Sequence, residues 1–327
     1  MVTANKTRTN AGRAALAAIA SAALLLAGCA QSDVEVKTPA TAEGALEQTS
    51  VKFGILPTPD YVAIQIALDQ GFFEDEGIAA TTEVMSPGGA IPAVLGGSLD
   101  VVGVNWVGYL QAVSQGIEIS AVAEADRGGP GYAEIMVLED SPIKTLADLD
   151  GKKVGVVVTP GNCDQIPLAA LANSGSDAQP DFVTIAIPDM PGNVQRGGID
   201  AACVPEPTLS AMKAAGGFRS INDLFSGDYE QFPIVGFTTS EKYASANPNT
   251  VAAVKRALQK ATDLARTDPD IVRVAILQYT QIPEAAAANM TLPSYPEESD
   301  FSKLQIVVDV LGDTGLVPNA TIPGADK

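Results

Sequence analysis

The sequence predicts an α/β fold made of two lobes with mostly parallel sheets, the first lobe interrupted by the second. Three patterns predict it. From residue 51, short apolar stretches of strand length alternate with helical ones, as in βα units. Several apolar stretches end in junctions rich in Pro, Gly, Ser or Asn that lead into a helix. From about residue 240 the alternation gives way to helix.

In chain order, 51–56 reads as a strand and 61–70 as a helix that Gly71 stops. Residues 80–85 form the next strand, and Ser86-Pro87-Gly88-Gly89 opens a helix running to Leu95. Strand 99–104, helix 106–115 and strand 117–125 complete a first set. A second set begins with strand 133–138, short helix 145–149, buried strand 153–158 and helix 163–173. Strands 182–187 and 199–204 and helix 206–215 continue it, and extended residues 232–239 lead back. Pro248 and Pro269 sit at helix starts, where the fixed φ of proline suits the first turn. The helices of 240–316 are expected to pack on the first lobe. That lobe then comprises 51–130 and 237–327, and the second 131–236. Segments near 124–135 and 230–240 cross between them as a two-segment hinge.

Residues 1–28 read as an export signal. Lys6, Arg8 and Arg13 form a basic region, and 14–27 is an Ala/Leu-rich run too short to span a bilayer comfortably. Leu26-Ala27-Gly28-Cys29 resembles the lipobox of bacterial lipoproteins. That resemblance implies cleavage before Cys29 and acylation of Cys29. The anchor would hold the chain on the extracytoplasmic face of the cell membrane. Residues 29–50 lack apolar periodicity and are expected to form a flexible tether.

The formal charge is -19, and loss of the three signal cations makes it about -22. Such a surface repels nucleic acid and anionic headgroups, so nucleic-acid binding is excluded. The chain has no histidine, which removes His-based triads and most catalytic zinc sites. No metal or cofactor is expected. Cys163 and Cys203 either pair in an oxidising exterior or remain two small buried thiols; their spacing does not choose.

The strings GFFEDEGI (71–78), SPGGAIPAVLGGSLDVVGV (86–104), SPIKTLADLDGKKVGV (141–156) and PDMPGNVQRGGIDAACVPEP (188–207) occur in a characteristic order. Together they resemble the nitrate/sulfonate/taurine and thiamine-pyrimidine-precursor (SsuA/THI5-like) binding proteins of ABC importers, over roughly 51–315. The resemblance implies a periplasmic-binding-protein-like type II fold, two α/β lobes joined by a two-segment hinge. It also implies capture of one small organic solute by lobe closure, delivery to ABC permease subunits, and a monomer. The solute would be sulfonate- or taurine-like, or a nitrogenous heteroaromatic such as a pyrimidine precursor. The same family includes eukaryotic enzymes that consume their own histidine and use a Cys-rich iron motif; this chain has neither. A surface receptor without transport and an enzyme on the same fold are the competing readings.

Candidate ligand-binding residues lie where strands end and helices begin. After the first strand come Asp60 and Tyr61, and after the second Ser86, Gly88 and Gly89. After the third come Asn105 and Trp106, the latter able to stack on a planar ligand. In the second lobe Gly161, Asn162, Cys163 and Asp164 follow a strand. Glycines admit close backbone approach, and helix N-termini present unpaired N–H groups. Each residue also reads as an ordinary turn or cap. Arg127 would pair with a sulfonate or carboxylate. Tyr132 reads as hinge packing or a lid contact. Asp60, Glu124, Asp164, Asp189 and Glu206 lie near strand ends and would favour a ligand with N–H donors over a bare anion. An alkyne-tagged palmitate should label the chain in bacterial cells, and Cys29→Ser should abolish the label; a labelled Cys29→Ser variant would refute the anchor.

Overall fold

The computed structural model describes residues 44–86, 88–317 and 322. The expected export signal, Cys29 and tether residues 29–43 lie outside the described residues. The end of the expected tether is docked. Leu46 packs on the core, and the Glu47 carboxylate accepts from the Asn249 and Thr250 amides at 3.2 and 2.9 Å. Those amides open the helix Pro248–Thr267. An acidic side chain therefore meets the positive end of that helix. Among the described residues no helix is long and apolar enough to cross a membrane.

Two five-stranded sheets carry the architecture. The first holds β1 (Ser50–Ile55), β2 (Ala79–Val84), β3 (Val101–Asn105) and β4 (Ile119–Glu124). The second holds β5 (Ala133–Leu138), β6 (Lys153–Val156), β7 (Asp181–Thr184), β8 (Ala201–Pro205) and β9 (Phe218–Asp223). β10 (Val235–Ser240) returns to the first. The orders are β2-β1-β3-β10-β4 and β7-β6-β8-β5-β9. Each sheet has one antiparallel strand: β10 pairs antiparallel with β3 and β4, and β5 with β8 and β9. Each of these is the first strand after the chain crosses between sheets. The parallel strands point their carboxyl ends at the gap, so a strand that starts at the gap must run the other way. The sheets expected to be mostly parallel thus each carry one antiparallel strand.

The strand bounds fall within a few residues of those expected, except that β9 is not marked in the sequence. It is an edge strand paired only with β5, and FRSIND shows no clean alternation. One C-terminal helix also departs from expectation. Pro248–Thr267 and Pro269–Tyr279 pack on Val62–Asp69, beside the first sheet. The helix Gln305–Asp313 instead packs largely on Asn162–Asn173, which follows β6. Asn173 Nδ2 donates to Asp313 Oδ2 at 3.0 Å, and Thr314 Oγ1 to Gln165 Oε1 at 2.7 Å. The C-terminal region thus contacts elements of both sheets.

The crossings 125–132 and 224–234 pair with each other. Gly128 N donates to Phe232 O at 2.8 Å, Gln231 N to Gly128 O at 3.0 Å and Ile234 N to Asp126 O at 3.2 Å. A third segment joins them: Arg127 and Ser294 exchange backbone hydrogen bonds, both at 2.8 Å. Cys163 and Cys203 form a disulfide between the first turn of Asn162–Asn173 and β8, with Cα atoms 5.8 Å apart. Closing a 40-residue separation restricts the unfolded chain. Replacing both cysteines by serine should lower unfolding free energy by about 2–5 kcal/mol in urea titrations; an unchanged midpoint would show that the bond adds nothing.

Candidate functional site

A cleft of about 410 Å³ lies between the two sheets. Its wall forms where parallel strands end and helices begin, the place at which open α/β sheets present loops to a ligand. The first sheet supplies Leu56, Thr58, Asp60 and Tyr61 after β1, Met85, Ser86 and Gly88 after β2, and Gly103 to Asn105 at the end of β3. Gly108, Gln111 and Ala112 add one face of the helix Trp106–Ser114. The second sheet supplies Val157 to Pro160, Asn162 and Cys163 after β6, Ile187 after β7 and Pro205 of β8. Tyr132, Leu224, Phe225 and Ile234 come from the crossings. The wall is mainly apolar, and no Lys or Arg is among these lining residues.

Local structure places its polar groups. The Tyr61 hydroxyl donates to Gly103 O at 3.2 Å. A Cβ at Gly103 would lie 2.3 Å from the Tyr61 ring, so this close approach requires glycine. Asn105 Oδ1 accepts from Gly108 N at 2.8 Å and caps its helix. Asn162 Nδ2 reaches the Ile234 carbonyl on the return crossing at 3.5 Å, while its Oδ1 is buried without a partner.

Beside Tyr61 lies a buried acidic pair. Asp60 is 6% exposed and Asp126 0%. Neither oxygen of Asp126, nor Oδ1 of Asp60, has a hydrogen-bond partner. Burial pushes the Asp126 carboxyl well above its ordinary value, and neighbouring Asp60 pushes it further; the Val235 amide opposes this and Glu124 adds to it slightly. The hydroxyls of Tyr132, Tyr279 and Tyr295 are raised by burial and by the two aspartates, so they stay neutral donors. Tyr279 and Tyr295 donate to the carbonyls of Thr58 and Pro59 at 2.9 and 3.5 Å. Tyr132, beside Asp60, completes no hydrogen bond of good geometry.

Of the residues expected from sequence, Asp60, Tyr61, Ser86, Gly88, Asn105, Asn162 and Cys163 line the cleft. Six others do not, and each has a structural role instead. Gly89 is the N-cap of the helix Ala90–Gly96. Trp106 is fully buried; its indole packs on Tyr109 and Phe301 at 5.3 and 5.6 Å and covers Gly236, where a Cβ would clash. Arg127 makes a two-pronged ion pair with Glu124 at 2.7 and 2.8 Å, which satisfies both. Gly161 is an N-cap whose amide donates to Asp164 Oδ1 at 2.6 Å, so both residues serve the helix start. Glu206 is buried and accepts from Ser210 N, Ser210 Oγ and Thr291 N at 3.0, 2.7 and 3.0 Å. Asp189 is exposed. Gln111, Phe225 and the second acid Asp126 were not anticipated; Thr58 belongs to the loop expected after the first strand. Asp126 lies just past the end of β4, and no sequence signal marked it.

A family model described as NMT1/THI5 like matches residues 58–271. The chain belongs to the NMT1/THI5-like family. The nitrate/nitrite binding protein NrtA of Nostoc sp. is 24% identical over 281 residues, covering 75% of this chain and 63% of NrtA. The chain thus spans less than two thirds of that relative's length. The 4-amino-5-hydroxymethyl-2-methylpyrimidine phosphate synthase THI5 of Saccharomyces cerevisiae is 24% identical over 228 residues, 65% of each chain. The alkanesulfonate-binding protein SsuA of Xanthomonas axonopodis pv. citri, solved with MOPS, matches with a TM-score of 0.69 at 21% identity, covering 85% of this chain and 97% of SsuA. The fold is that of periplasmic binding proteins, with two α/β lobes.

The raised Asp126 carboxyl links stability to pH. The folded protein holds a proton that the unfolded chain releases near the ordinary value of 3.8. That contribution is complete below this value and is lost as pH rises through the raised folded value. Thermal melts from about pH 4 to 8 should show wild type losing stability relative to Asp126→Asn, whose amide stays neutral and can donate to Asp60. Parallel curves would mean that Asp126 ionises as an ordinary surface carboxylate.

Proposed function

We propose that this chain is the solute-capturing lipoprotein of an ABC-type importer, anchored through Cys29 outside a bacterial cell membrane. The observation that supports it is the cleft. Strand ends from both sheets converge on it, and each side offers a buried polar atom without a protein partner, Asp60 Oδ1 on one and Asn162 Oδ1 on the other. A solute that satisfies both atoms would hold the two lobes together. The crossings 125–132 and 224–234 would bend as the lobes close, and the closed form would dock on the permease. Binding drives closure only insofar as the solute prefers the closed form.

The volume and the apolar wall suit an organic solute better than an inorganic ion. Of the two solute classes expected from sequence, the nitrogenous one suits this wall better than a sulfonate, because Arg127 is held by Glu124. Catalysis is the weaker reading despite the likeness to a yeast synthase. The chain has no histidine, and Cys163 and Cys203 are joined to each other.

The test is a thermal-shift screen against sulfonates, nitrate, pyrimidines, flavin precursors, amines and amino acids, followed by calorimetry and small-angle scattering. One class should bind 1:1, shrink the radius of gyration, and add about 2.7 kcal/mol of stability at a hundredfold excess over Kd. Chemical conversion of the bound compound, or no stoichiometric binding by any class, would contradict the proposal.

A further inference from the structure

We infer that Asp60 and Asp126 form a cation subsite, on which the solute docks a protonated amine or equivalent cationic nitrogen. The inference rests on the solute-binding reading above and names the chemistry that the cleft selects.

Asp60 is 6% exposed, lines the cleft and keeps Oδ1 unpartnered. Thr58 and Tyr132, 5% and 1% exposed, also line the cleft, and their hydroxyls are also unpartnered. Buried polar atoms are rarely left without partners, because their desolvation is then uncompensated. Here three such atoms, from three residues, belong to the cleft wall, and the two oxygens of Asp126, also without partners, lie beside Asp60.

Among the described residues none supplies a counter-charge. No Lys or Arg is among the lining residues. Arg127 is paired with Glu124. Arg273, near Tyr295, donates to the carbonyls of Ala288 and Pro269 and faces Asp270 at 3.7 Å. The nearby phenols of Tyr61, Tyr279 and Tyr295 donate to backbone carbonyls. Two adjacent carboxyls in such a place cannot both ionise without an added positive charge. A proton supplies it in the free protein, consistent with the raised Asp126 carboxyl. A cationic solute would supply it on binding. An ammonium can donate to Asp60 Oδ1 and the Thr58 hydroxyl, and the aromatic wall of Tyr61, Tyr132 and Phe225 suits a cation carried on an apolar body. A sulfonate or nitrate at the same place would meet a carboxylate.

The experiment compares three probes of one shape, 2-phenylethylamine, 2-phenylethanol and 2-phenylethanesulfonate, by calorimetry on the purified full chain. The amine should bind at least about tenfold tighter than the alcohol, with the sulfonate weakest. Asp60→Asn should bring the amine down to the level of the alcohol. If that variant does not fold, the wild-type order decides alone. An alcohol or sulfonate that binds as well as the amine would overturn the cation subsite and leave solute capture standing. Binding by none of the three would also overturn the subsite, while the broader screen judges solute capture separately.

Discussion

Two carboxyl groups with no cation beside them among the described residues sit where the chain first crosses between its sheets, and the cleft is organised around that constraint. Asp60 comes from the turn after β1 and Asp126 from the first crossing. The return crossing holds the Asp126 backbone through Ile234. The tyrosines around the pair are buried and neutral, and most direct their hydroxyls at backbone carbonyls. The charge of the pair is thus left for a proton or a ligand to balance. Closure of the lobes would exclude water and strengthen any such contact, since electrostatic attraction grows as the local dielectric falls.

The topology explains why this chemistry lies between the lobes. Both sheets end their parallel strands at the gap, and both crossings begin an antiparallel strand there. Loops, helix starts and crossings are therefore brought to one place without any strand leaving its sheet. The segment around Ser294 pairs with Arg127, and the Thr291 amide reaches Glu206 at the end of β8. The link between the halves thus has three backbone segments, where sequence reading anticipates a two-segment hinge. Any rotation of one sheet against the other must accommodate that third segment and the helix Gln305–Asp313.

Much of the fold was legible because apolar periodicity and Gly/Pro punctuation act locally. Strand bounds, the helix starts at Pro248 and Pro269, and the strand-end loops all follow from such signals. β9 was not legible, because an edge strand buried on little of its surface needs no alternation. The site was legible as a set of loops more than as residues. Loop position brought Asp60, Tyr61 and Asn162 to the wall. It could not tell a wall residue from one that turns behind it. Trp106 begins a helix and turns into the core; Asp164 and Glu206 follow strand ends but serve backbone amides. Arg127 looked free because its partner, three residues earlier, lies on a strand whose register the sequence does not print. Asp126 was hidden by the usual expectation that an acid beside a basic residue is solvated.

Proton linkage tests the central claim most directly. Calorimetry of 2-phenylethylamine binding, repeated in buffers of different ionisation enthalpy at mildly acidic pH, counts protons exchanged on binding. The amine stays charged throughout, as does Arg127, which its Glu124 partner holds in the charged form. Net proton release from Asp126 is expected, and it should be lost in Asp126→Asn. Binding with no proton exchange, or with uptake, would contradict it.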